Sequence, residues 1–177
     1  MRPRYVAVAA AALFLACFAS SLIHPWGNPR SGVNAKEPLL AGSDAPANVQ
    51  HVFETKCADC HSERTTWPAY SRLAPASWLI ERDVIEGRSH LNLSQWQIYT
   101  AETRIDLLSR IASEARSGQM PVRQYLILHP QARLSPEEQQ LIYDWAKSER
   151  KRIRREVAGP QTSPPQTDSA QAKQKTH

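Results

Sequence analysis

Cysteine and methionine are scarce in this chain of 177 residues, which holds three of the former and two of the latter, one being the initiator. Cys17 falls inside an apolar N-terminal run, leaving Cys57 and Cys60 as the one close pair. A structural zinc site draws four ligands, usually from two such pairs, so that reading lacks half of its donors. A disulfide within the pair would close too small a loop to stabilise a fold appreciably. Alternating strand patterns are missing around the pair as well, which removes the βαβ setting of a thioredoxin-like dithiol. There is no internal repeat.

A net charge of +5 and a pI near 9.3 raise the question of nucleic acid. The distribution argues against it. Residues 31–146 carry 11 Lys and Arg against 14 Asp and Glu, a net of −3, whereas residues 147–177 carry 8 against 3. The basic excess thus lies at the ends of the chain. No aromatic residue interleaves with the C-terminal basic run and no recognition motif accompanies it.

What the chain does hold is Cys57-Ala58-Asp59-Cys60-His61. Two thiols three residues apart, followed directly by an imidazole, form the attachment pattern of a c-type haem. Sulfurs one helical turn apart can add to the two vinyl groups of one porphyrin edge. Cys57 and Cys60 are therefore the expected thioether positions of one covalent haem c, with His61 beneath the ring as proximal iron ligand.

The rest of the chain is organised around that motif. Residues 1–23 read as a targeting segment: Arg2 and Arg4 precede an apolar run over residues 5–23, long enough to be either a signal peptide or a membrane anchor. Ala19-Ser20-Ser21 is a candidate cleavage site, and Phe14-Leu15-Ala16-Cys17 departs from a lipoprotein box by its Phe, so Cys17 reads as an ordinary thiol of the run. The positive-inside rule leaves the start in the cytoplasm and delivers the haem motif to the periplasmic side in both cases. Residues 24–46, rich in Pro and Gly, read as a linker, residues 47–151 as the haem domain, and residues 152–177 as a basic, disordered tail.

Periodicity predicts an all-α domain. A first helix, capped by Ser43 or Asp44, runs through Val49, Val52, Phe53 and Cys57, carries the motif, and leaves Lys56 and Asp59 outside. A second spans residues 76–87 with Gly87 as its terminator. A third spans 101–117, capped by Thr100, with Ile105, Leu108, Ile111 and Ala112 as its apolar stripe. The last opens on Ser135, Pro136 and Glu138, a capping box. It buries Leu141, Ile142, Trp145 and Ala146, while residues 147–155 run on into solvent.

The iron's sixth position separates electron transfer from small-molecule chemistry. Met120, the one methionine besides the initiator, stands in Gly118-Gln119-Met120-Pro121 just after a helix, away from any helical stripe, and is the expected distal ligand. His90 and His129, each read as a loop residue, are its rivals. Trp67, Trp78, Trp96 and Trp145 offer apolar area to the porphyrin or the core, and Arg64 and Arg72 are the candidate propionate partners.

The motif through Ser62, followed by Thr66-Trp67-Pro68, Tyr70-Ser71, Ala74-Pro75, Ser77-Trp78-Leu79, Asp83-Val84, Leu91-Asn92, Ser94 and Trp96, resembles the small bacterial haem-binding domain family of monohaem c-type proteins. Met120-Pro121, Tyr125, His129-Pro130, Leu134-Ser135 and Trp145 are similar to the distal half of a class I cytochrome c, although Asn48 and Val49 stand where its first helix has a close-contact glycine. The resemblance covers about residues 47–147. It implies a helical, class I cytochrome c-like haem domain, covalent haem on Cys57 and Cys60, ligation by His61 and Met120, and export or membrane tethering.

The expected function is electron exchange with redox partner proteins of the periplasm or inner membrane, after loading by haem-attachment machinery. Nucleic acid has no place in it, and no catalytic residue is required. The alternatives are a peroxidase-like haem enzyme, for which His90 or His129 would be the distal acid or base, and a haem-based sensor with a displaceable sixth ligand.

Overall fold

The computed structural model describes residues 3–30 and 38–159. Residues 31–37 of the expected linker and residues 160–177 of the expected tail lie outside the described residues. Seven α-helices follow one another, α1 (Pro3–Ser20), α2 (Ala47–Lys56), α3 (Ala58–His61), α4 (Ala76–His90), α5 (Ala101–Ser117), α6 (Arg123–Leu128) and α7 (Pro136–Ala158), with short 3-10 turns at Ala69–Arg72, Leu93–Ile98 and Pro130–Ala132. No strand occurs among the described residues.

Local signals set most of the helix ends. Thr100 accepts from the Thr103 amide at the start of α5, and Gly118, at φ +70°, terminates it in the left-handed region that favours glycine. Ser135 and Glu138 bond reciprocally in the capping box of α7, an arrangement whose loss costs about 1 kcal/mol. The start of α2 differs from expectation. Pro46 stands at the cap without a side-chain bond. Asp44 is drawn away by α7 instead, its carbonyl accepting from Trp145 Nε1 at 3.0 Å and its amide lying 3.4 Å from both oxygens of Glu149.

The core forms where α5 and α7 pair extensively and α2 closes over them. Val49, Val52 and Phe53 of α2 meet Leu107, Leu108, Ala112 and Ala115 of α5 and Ile142, Trp145 and Ala146 of α7. Phe53 and Trp145 pack edge to face with ring centroids 5.4 Å apart. Helix α7 continues past residue 151 as part of this core, because Ile153 is buried, as is Glu149, whose carboxylate takes Arg152 at 2.6 Å. The stretch 147–155 is therefore half interior, not wholly solvated.

Two stretches expected to link merely are packed. Leu39 and Leu40 enter the core, and the Leu40 amide donates to the Leu93 carbonyl at 3.0 Å. Before them, residues 21–30 form a strap across α4 and the loop preceding it. Ser21 Oγ accepts from the Ala74 amide, Trp78 Nε1 donates to the Ile23 carbonyl at 2.8 Å, and Arg30 stacks on Trp67 at 4.2 Å. Trp67 and Trp78 thus hold the strap, while Trp96 and Trp145 are the core tryptophans. Helix α1 leads into the strap, is almost entirely exposed, and is long and apolar enough to cross a bilayer.

The strap answers a buried charge. Glu81 of α4 is fully buried; His24 Nδ1 lies 3.0 Å from both of its carboxylate oxygens, and Arg30 Nε is 4.0 Å away. A buried carboxylate stripped of its partners is costly, whereas an apolar replacement of the whole cluster is often neutral. His24→Ala combined with Arg30→Ala is expected to lower stability by about 3 kcal/mol in urea denaturation of the detergent-solubilised holoprotein, and adding Glu81→Leu to restore part of the loss.

Candidate haem site

The attachment motif does not continue the first helix. Helix α2 ends at Lys56, Cys57 adopts φ −121°, and residues 58–61 form a separate turn, α3. The break turns Ala58 inward to the core and brings Cys57, Cys60 and His61 to the wall of one cavity of about 410 Å³. Phe53, Leu107, Ile111, Ala115, Leu134 and Ile142 supply much of its apolar lining.

The turn is fixed from behind. Ser62 Oγ donates to the Ala58 carbonyl, Arg88 Nε donates to the Ser62 carbonyl at 2.9 Å, and Arg88 also reaches Glu63, Thr65 and the Pro29 carbonyl of the strap. Helix α4 passes so close that a Cβ on Gly87 would stand 2.6 Å from the Cys60 carbonyl oxygen. Gly87 therefore does not terminate α4, which runs on to His90; it permits contact between two backbones.

His61 Nδ1 lies 3.1 Å from the Leu91 carbonyl and donates to it as the neutral tautomer, leaving the Nε2 lone pair for a metal. Burial pushes its pKa below the ordinary histidine value, which favours that neutral form; bonds to backbone carbonyls of Leu91 and Gly87 partly oppose the shift. Burial raises both thiols, Cys57 and Cys60, to about 12. A dithiol redox centre needs the opposite shift, toward thiolate.

Met120 reaches the same cavity from the far end of the chain. The left-handed turn at Gly118 folds the backbone away from α5, the Met120 amide approaches the Glu114 carbonyl at 3.4 Å, and the thioether side chain, 39% exposed, joins the cavity wall.

A protein-family model for a haem-binding domain matches residues 15–148. The chain belongs to the haem-binding domain family. No curated protein and no solved structure matches it. The family match takes in the strap as well as the motif and Met120.

The cavity suits the family's cofactor. It is largely apolar, lies in the usual size range of cofactor sites, and gathers two thiols, an imidazole and a thioether from separate parts of the chain. Among the described residues no cluster of three His, Cys, Asp or Glu side chains is present to hold a bare metal ion.

The histidine rivals fare differently. His90 is the last residue of α4, not a loop residue; it lines the cavity, with Nδ1 bonded to the Glu86 carbonyl at 2.8 Å. His129 is not on the cavity wall: its Nε2 meets the Tyr70 hydroxyl at 2.6 Å and its ring stacks on Tyr125 at 4.3 Å. The wall's guanidinium groups belong to Arg82 and Arg110, not to Arg64 or Arg72, and Lys56 adds an ammonium group to the same wall.

One polar cluster had no sequence signal. Asp59, expected to face solvent, accepts from the Tyr125 hydroxyl at 2.8 Å and from the Thr66 amide at 2.9 Å. Burial and the bond to Asp59 hold the Tyr125 phenol well above its usual pKa, so it stays a donor. Gly87, by contrast, carried a weak signal as a glycine inside a helical pattern. Gly87→Ala is expected to force α3 and α4 apart and to cut the amount of haem carried by the purified protein several-fold, measured by its haem absorbance per polypeptide.

Proposed function

We propose that this member of the haem-binding domain family is an exported monohaem c-type cytochrome that carries electrons, with haem joined to Cys57 and Cys60 and iron ligated by His61 and Met120. The observation that carries the reading is the meeting of both thiols, His61 and Met120 on one cavity wall from segments some sixty residues apart. Bound there, haem supplies one-electron exchange.

The chain's own residues do the rest. The Leu91 carbonyl fixes the His61 tautomer and ring direction. The Gly118 turn presents the Met120 thioether, which as a ligand favours the reduced state relative to imidazole. Phe53, Leu107, Ile111 and Ile142 exclude water from the cavity, and Arg82 and Arg110 balance propionate charge. Of the two histidines that could serve a peroxidase-like enzyme as acid or base, His129 is off the wall and engaged by Tyr70, whereas His90 is on the wall with Nδ1 bonded to the Glu86 carbonyl.

The exposed apolar helix α1, running directly into the strap, supports a domain tethered to the inner membrane on its periplasmic side. The exposed cations Lys147, Lys151, Arg154 and Arg155 of α7 support docking to an acidic redox partner. Electron-transfer rates to such a partner are expected to fall steeply between low and high ionic strength; unchanged rates would exclude the docking role.

The sixth ligand is tested by optical spectroscopy of the oxidised, exported protein. The native protein is expected to show the weak near-infrared band of a methionine-to-iron bond, and Met120→Ala to lack it and to bind carbon monoxide when reduced. A native spectrum without the band would reject Met120 as ligand, and ready carbon monoxide binding by the native protein would favour the enzyme or sensor reading.

A further inference from the structure

The arm that carries Met120 must be held in place by something other than its own fold. Between Gly118 at the end of α5 and Ser135 at the start of α7 the chain forms only the six-residue α6 and one 3-10 turn, and Ile127 and Leu128 of α6 are exposed. Its C-terminal end is pinned by the buried Ala132 and Leu134, but no residue from Gly118 to Gln131 is buried. Its polar contacts run to Asp59 inside the motif, to Tyr70, and from Lys56, the residue before the motif, to the Gln131 carbonyl.

Tyr125, five residues after Met120, lines the haem cavity and donates its hydroxyl to Asp59 Oδ2 at 2.8 Å. Asp59 is the residue immediately before Cys60, and its other oxygen accepts from the Thr66 amide at 2.9 Å, so the acceptor is itself fixed. His129, four residues further along the arm, stacks on the Tyr125 ring with planes 12° apart and bonds to Tyr70. The phenol is thereby oriented from one side and anchored at the other. A single charge-assisted hydrogen bond joins the methionine arm to the turn that bears the thiols and His61.

We propose that Tyr125 is a positioning residue for the iron's sixth site, and that its bond to Asp59 sets how readily Met120 yields that site to an external ligand. The inference rests on Met120 being the sixth ligand. Release of the thioether and entry of an external base are a ligand exchange, with no change in electron count. The cost of that exchange includes swinging the arm outward, and the arm swings against the Tyr125 to Asp59 bond.

The experiment is an imidazole titration of the oxidised, haem-loaded full-length protein in detergent, following loss of the near-infrared methionine band and the shift of the main haem band. Tyr125→Phe keeps the ring that stacks on His129 and removes only the hydroxyl. It is expected to retain haem and to bind imidazole about tenfold more tightly than the native protein, the effect of losing one hydrogen bond to a charged acceptor. The same change placed in Met120→Ala is expected to leave imidazole affinity unaltered, because no arm then competes. A merely structural loosening would raise affinity in both backgrounds, and that result would overturn the proposal. Unchanged affinity of Tyr125→Phe in a protein whose methionine band is present would overturn it also, leaving the assignment of Met120 intact. Absence of the band from the native protein would reject the ligand assignment and the proposal with it. Should Tyr125→Phe lose haem, Asp59→Asn, which keeps an acceptor without its charge, is expected to tighten imidazole binding by a smaller factor, and no tightening would overturn the proposal.

Discussion

The domain depends on how a four-residue turn docks against α4 at Gly87. Residues 58–61 are too few to hold their own geometry, since a single helical turn fixes many dihedrals for little hydrogen bonding. The turn is stable because α4 lies against its backbone, and α4 can lie there because Gly87 has no Cβ to meet the Cys60 carbonyl 2.6 Å away. From this contact follow the direction of the two thiols into the cavity, the reach of His61 Nδ1 to Leu91 just beyond the end of α4, and the hold of Arg88 on the Ser62 carbonyl. The last turn of α4 and the residue that follows it therefore set this side of the cavity.

The distal side is built by different physics. Helix α5 is anchored by apolar burial along α7, and its left-handed end at Gly118 throws the chain toward the cavity. Beyond that point the arm is tied by polar contacts to Asp59 and Tyr70 until Ala132 and Leu134 return to the interior. A rigid proximal wall and a lightly tied distal arm are compatible demands on one small domain. Under the proposed reading, attachment would need thiols whose positions are fixed, whereas an axial thioether would need only enough restraint to stay at the iron.

What the sequence made legible follows the range of the interaction concerned. The Thr100 cap, the Gly118 stop and the Ser135 capping box are read within four or five residues, and each stands in the structure at its expected place. The features that differed depend on distant partners. Gly87 looks like a terminator until the Cys60 backbone is beside it, and Asp44 looks like a cap until Trp145 and Glu149 claim its backbone. Asp59 looks solvated until Tyr125 arrives, and Arg82 and Arg110 reach the cavity wall from α4 and α5, far from the motif in sequence. Proline and glycine content marks residues 24–46 as irregular, yet irregular chain can still bury Leu39 and Leu40 and partner Glu81.

The buried carboxylates show why the domain cannot be trimmed to its helical motif. Glu81 and Glu149 are both interior, and each is answered by chain that composition alone would assign elsewhere: Glu81 by His24 and Arg30 of the strap, Glu149 by the Asp44 amide and by Arg152 beyond the expected domain end. Removing such a partner leaves an uncompensated charge in the interior, so the strap and the extension of α7 are bound into the folding of the haem domain itself. The strap has a second consequence. It joins the last residue of α1 to the face of α4 through only a few residues, so any membrane that held α1 would also fix the orientation of α4. Because α4 lies against the turn of residues 58–61, the same few contacts that meet Glu81 would set the angle of the haem site to that bilayer.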